Sequence, residues 1–115
     1  MNDSELIKSL PQNIGSAIEY CHGSIVNKII LKQNTGNVTL SSFDIGNVQV
    51  YYFPFDHLIQ VIEGNASVCI DKKWSTVEEG QIIISPAHMK HLVKANQRFK
   101  MLSTIIKSGY EDVRI

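Results

Sequence analysis

Cysteine is scarce in this chain: Cys21 and Cys69 are the only two, 48 positions apart. Without a CxxC pair, a structural zinc site built on cysteine pairs is excluded. Cys69, within ASVCI, reads as a buried strand residue with a free thiol. Net charge is also missing, because eleven basic residues cancel eleven acidic ones. A surface with no basic excess has little to offer a phosphate backbone, so nucleic acid is not an expected partner. No apolar run approaches the roughly 18 residues that a bilayer span needs. MNDSELIKSL has neither the basic start nor the apolar block of a secretory signal. The expectations are therefore no membrane partner and a cytoplasmic location. Repeats, low-complexity tracts, linkers and long helical periods are absent as well, and 115 residues suit one domain.

What the chain does have is strand texture. SIVNKIILK is rich in β-branched residues, and QNTGN supplies a turn before VTLSSF. DIGN leads to VQVYYF, and HLIQVIEG, ASVCID, WSTVEEG, QIIISP, HLVKA and FKMLSTII follow. Strands arriving every 8 to 12 residues with turn chemistry between them predict an all-β sandwich or small barrel. One helical signal precedes them: Asp3 and Ser4 offer an N-cap to ELIKSL, and Pro11 stops it. Alternation in HLIQVIEG puts His57, Ile59 and Val61 on one face and Leu58, Gln60 and Ile62 on the other. Both faces are largely apolar, so the outer one needs a cover, and a homodimer is the simplest. The polar tail SGYEDVRI is expected either to fray or to dock on a partner.

Gly80, Pro86 and His91, in GQIIISPAHMKH, fall at the spacings of a glycine, proline and histidine motif found in small β-barrels, with His88 where its second glycine usually stands. Gly64, in VIEGN, matches the closing glycine of that family's first motif. With these two motifs and the strand rhythm, residues 24 to 106 resemble a cupin, the double-stranded β-helix or jelly-roll barrel, of the compact one-domain kind. The resemblance implies an all-β cupin barrel over residues 24–115, preceded by a helix and lead-in over residues 1–23.

Cupins commonly hold a metal on an HxH pair, a glutamate and the second motif's histidine. Carried onto this chain, the pair falls on Tyr51 and Phe53, and the glutamate position is His57. Only His91 keeps its identity, and residues 44–56 contain no histidine. The implied inward set is Tyr51, Phe53, His57 and His91, with His88 near the mouth. His57 and His91 could supply two ligands to iron, manganese, nickel or zinc, but a catalytic metal needs three or four. Phenylalanine cannot ligate, tyrosine does so infrequently, and alternation turns Asp56 outward unless the chain bulges near Pro54. The reading that follows is a barrel that binds an unidentified small molecule in an aromatic and apolar pocket tipped by two histidines, without a tightly held metal. The alternatives are a metal-dependent enzyme of oxygenase, isomerase or lyase type on His57 and His91, and a metal-free enzyme shuttling a proton through them. Either histidine could also be an ordinary core residue. Tyr52 is expected to pack, His22 to be exposed, Trp74 to cover a surface, and Glu78 and Glu79 to form a solvated turn.

Overall fold

Among the described residues the β-branched and apolar runs become nine strands: β1 Ile25–Gln33, β2 Gly36–Phe43, β3 Val48–Tyr51, β4 His57–Glu63, β5 Asn65–Ile70, β6 Lys73–Glu78, β7 Ile82–Ser85, β8 His91–Lys94 and β9 Phe99–Ile106. The computed structural model describes residues 6–107. All strand pairs are antiparallel, in a five-stranded sheet ordered β1-β2-β9-β4-β7 and a four-stranded sheet ordered β3-β8-β5-β6. Their inner faces enclose one apolar core that includes Phe43, Ile59, Val61, Val68, Val93, Phe99 and Met101. Phe43 and Phe99 are cross-strand partners with rings stacked 4.5 Å apart. A pair of this kind adds about 0.5–1.5 kcal/mol beyond the area it buries. Burial alternates along β4 as its sequence requires: His57, Ile59 and Val61 are buried, and the residues between them only partly so.

Among the described residues the helical element lies further along the chain than ELIKSL, and it is a single 3-10 turn over Ile14–Ser16. The expected N-cap residues Asp3 and Ser4, with Glu5, fall outside the described residues, as does SGYEDVRI, and Leu6–Leu10 is not helical. A segment this short cannot offset helix nucleation unless a packed face supports it. Ser9, moreover, takes a left-handed φ of 67°. After Pro11, the Asn13 side chain accepts from Gly15 N at 2.9 Å and caps the turn that does form.

The lead-in then crosses the outer face of β1 and β2, with Lys28 Nζ donating to Ala17 O and Ser42 Oγ to Glu19 O. Asp44 clasps its end, accepting from Gly23 N at 2.6 Å and from Arg98 Nε at 2.7 Å. These bonds, led by the one to Arg98, hold the Asp44 carboxyl well below the usual carboxylate range. The glycine that closes the first motif has a steric reason. Gly64 sits at φ +76° between β4 and β5, and a Cβ there would come within 2.5 Å of Arg98 O. Among the described residues, no helix is long and apolar enough to cross a membrane.

Candidate functional site

Strand register determines which side chains meet. On the inner face of the larger sheet, Asn37, Ile105, His57 and Ser85 form one cross-strand row over β2, β9, β4 and β7. On the smaller sheet, Tyr51 pairs with His91 across β3 and β8. The two rows face each other at the same level of the barrel, and His57 Nδ1 lies 2.8 Å from His91 Nε2. Ser85 Oγ continues the chain, 2.9 Å from His91 Nδ1, and the Met89 carbonyl lies 3.3 Å from that same nitrogen. Aromatic rings wall the pair. Tyr51 stacks on His91 at 5.3 Å with 19° between planes, and Phe53 meets His57 edge-on at 5.2 Å and 88°.

Both imidazoles are 1% exposed, and burial sets their chemistry. Desolvation, with a smaller push from the neighbouring His91, lowers the His57 pKa from 6.5 to about 4. Burial also lowers that of His91, opposed by its bond to the Met89 carbonyl. The Tyr51 phenol is pushed up by desolvation, so it stays protonated. The result is a neutral site at physiological pH. One atom in it is left over. His57 Nε2 is buried and meets no hydrogen-bond partner among the described residues.

His57, Tyr51 and Phe53 line a cavity of about 240 Å³. Its other walls are the inner faces of β1, β2 and β9, where Asn27, Thr39, Ser41 and Ser103 supply polar groups and Ile29 and Ile105 apolar ones. Ser41 Oγ donates to Asn27 Oδ1 at 2.6 Å. Of the expected site residues, the fold brings Tyr51, Phe53, His57 and His91 together, with His91 behind His57 and not on the cavity wall. His88 stands apart. It is exposed, and its Nδ1 lies 3.3 Å from the Tyr52 hydroxyl, while its N–H donates to Phe53 O. Its backbone explains the motif's usual glycine, because position 88 takes a φ of +65°. A side chain there costs about 1–2 kcal/mol. Tyr52 and Trp74 are both half exposed, and His22 lies on the surface 3.7 Å from the Asp44 carboxylate.

Sequence reasoning did not single out Ser85, Asn27, Thr39, Ser41 or Ser103. Period-2 alternation could have grouped Ser85 with Ile83 on one face of QIIISP, but its pairing with His57 needs the β4–β7 register.

The residues do not fit the metal that the resemblance implies. Ligation needs lone pairs converging on an ion, whereas the facing nitrogens of His57 and His91 are engaged with each other through a hydrogen bond. Asp56 is exposed, and its Oδ1 accepts from Ala87 N at 2.9 Å. Phe53 has no donor, and a protonated phenol at Tyr51 is a poor one. Among the described residues, no three His, Cys, Asp or Glu side chains gather in a way that could hold a metal ion.

No protein-family model matches the sequence, and no curated protein matches it. Solved structures do. A conserved protein of unknown function from Streptococcus pyogenes superposes with a TM-score of 0.84 at 22% identity, over 90% of this chain and 91% of that one. A cupin superfamily protein from Desulfitobacterium hafniense gives 0.83 at 22% identity, over 89% and 94%. A cupin 2 conserved barrel domain protein from Leptotrichia buccalis gives 0.79 at 30% identity, over 84% of this chain but only 47% of that one. On these likenesses, with Gly80, Pro86 and His91 at their motif spacings, the chain has the fold of a small RmlC-like cupin whose first motif lacks its histidine pair.

Proposed function

We propose that this barrel binds a small organic molecule in the cavity beside His57 and does so without a tightly held metal. The observation that carries the reading is the orphaned His57 Nε2 on a residue that lines a cavity. A buried polar atom left unpaired costs about 1–3 kcal/mol, which a bound partner can return. The aromatic and apolar walls with a few polar groups suit an orienting site. The volume equals that of roughly eight waters at liquid density, which sets the scale of the guest. Proton shuttling at neutral pH is disfavoured, because an imidazole with a pKa of about 4 is a weak base there.

The same reading includes a homodimer. Leu31, Val38, Thr104, Leu58 and Ile84 form a row across all five strands on the outer face of the larger sheet. Ile82 and Ile84 at one edge remain 57% and 53% exposed, and a second copy would cover them.

Elemental analysis of protein purified without chelator, joined to a fragment screen by ligand-observed NMR, tests the proposal. The expected result is metal far below stoichiometric and saturation transfer from the Ile29 and Ile105 methyls to bound fragments. Near-stoichiometric iron, manganese, nickel or zinc, or no transfer to any fragment, would sink it.

A further inference from the structure

The identity of the guest can be narrowed from the polarity of the hydrogen-bond chain, an argument that rests on the binding reading above. A carbonyl only accepts, so the approach of Met89 O to His91 Nδ1 places the proton on that nitrogen. Ser85 Oγ lies 2.9 Å from the same nitrogen and, with the proton there, acts as a second acceptor. Neutral His91 then has only a lone pair at Nε2, and His57 must donate to it from Nδ1 across 2.8 Å. This fixes the last atom of the chain: His57 Nε2 carries a lone pair, buried and unmatched among the described residues.

The cavity wall supplies the second constraint. None of the side chains lining it is Asp, Glu, Lys or Arg. A charged guest would leave water with no counter-ion to meet it, at a cost of several kcal/mol. Nor does the histidine pair provide a charge, since burial keeps both rings neutral.

We infer that the cavity takes a compact, uncharged molecule bearing a hydroxyl or N–H group, whose hydrocarbon body lies against Ile29, Phe53 and Ile105 and whose donor meets His57 Nε2 once a small tilt of the ring opens that buried atom to the cavity. Carboxylates and phosphates are rejected. Ser103 and Thr39, whose hydroxyl donates to Asn37 Oδ1, line the same cavity and offer oxygens to a second polar group, so alcohols and small polyols or amides fit better than hydrocarbons.

A matched series tests this: cyclohexylmethanol, methylcyclohexane and cyclohexanecarboxylate, titrated into the full chain at pH 7.5. Long-range proton–nitrogen spectra of histidine-labelled protein read His57 Nε2 directly. The alcohol is expected to bind about 3–10-fold more tightly than the hydrocarbon, the worth of one net hydrogen bond. It should also move the Nε2 resonance, and the carboxylate should bind at least about 100-fold more weakly than the alcohol. Ser103→Ile, which narrows the cavity and leaves both imidazoles in the chain, should abolish the alcohol's effect. Carboxylate binding as tight as the alcohol's, or alcohol binding that leaves Nε2 unmoved, overturns the inference and leaves the binding barrel standing. If no member of the series perturbs any cavity resonance, both fall.

Discussion

Lowering the pH from 7 to 4 is expected to cost the barrel about 3 kcal/mol through His57 alone. Its pKa is 6.5 in the unfolded chain and about 4 in the fold. Above pH 6.5 the ring is neutral in both states, and pH does nothing. Between 6.5 and 4 the unfolded chain takes up a proton that the folded one refuses, so stability falls as pH falls. Below 4 both states are protonated and nothing more is lost at this group. The slope inside the window approaches about 1.4 kcal/mol per pH unit. With roughly 2.1 cal/mol/K of unfolding entropy per residue, 1 kcal/mol is worth about 4 °C for this chain, so Tm should drop by about 12 °C. Urea unfolding at half-unit steps from pH 4 to 7.5, on the native chain and on His57→Gln, measures it. Carboxylates titrate in both proteins, and their effect largely cancels in the difference. A His57 ring that titrates near 6.5 by NMR, or a difference that stays flat across the window, would refute the burial argument.

The histidine pair should behave as a unit in a double-mutant cycle. His57→Phe and His91→Leu each strand the other ring and are expected to cost about 2–4 kcal/mol, while the double variant costs about 1–3 kcal/mol less than their sum by chemical denaturation. Replacing His88 with glycine relieves its left-handed backbone, so Tm should rise by the equivalent of about 1 kcal/mol. Fragment binding should be unchanged, because His88 does not line the cavity. Ile84→Asp puts a carboxylate in the outer row, and sedimentation velocity should then show monomer, against the dimer expected of the native chain. A monomeric native chain would remove the homodimer from the proposal.

The strands were legible in the sequence because burial in a sheet has a period of two, and HLIQVIEG carries that period plainly. Tyr51, Phe53, His57 and His91 were legible through motif spacing, which encodes where turns end and which positions follow them inward. The lead-in was not, since a three-residue 3-10 turn has no periodicity to read, and LIKSL leaves Ile7 and Leu10 more than half exposed. The polar wall was hidden for another reason. Asn27, Ser41, Thr39 and Ser103 are small polar residues that sit equally well on either face of a strand, and only pairing with Met101, Ile59 and Ile29 turns them inward. Nitrogen-to-nitrogen contact between two sheets also needs their separation, a quantity the order of residues does not contain.

The Met89 carbonyl has a consequence for how such a protein can drift. It is main chain, so replacing the side chain at position 89 leaves in place the group that orients the protons of both rings. An insertion or deletion between Pro86 and His91 would be different. By moving that oxygen away, it would free the relay to reverse, with Ser85 donating first and His57 offering a proton at its far nitrogen. If the barrel binds as proposed, a lineage could thus exchange a preference for alcohols for one favouring ketones or ethers while every residue facing the guest stayed the same.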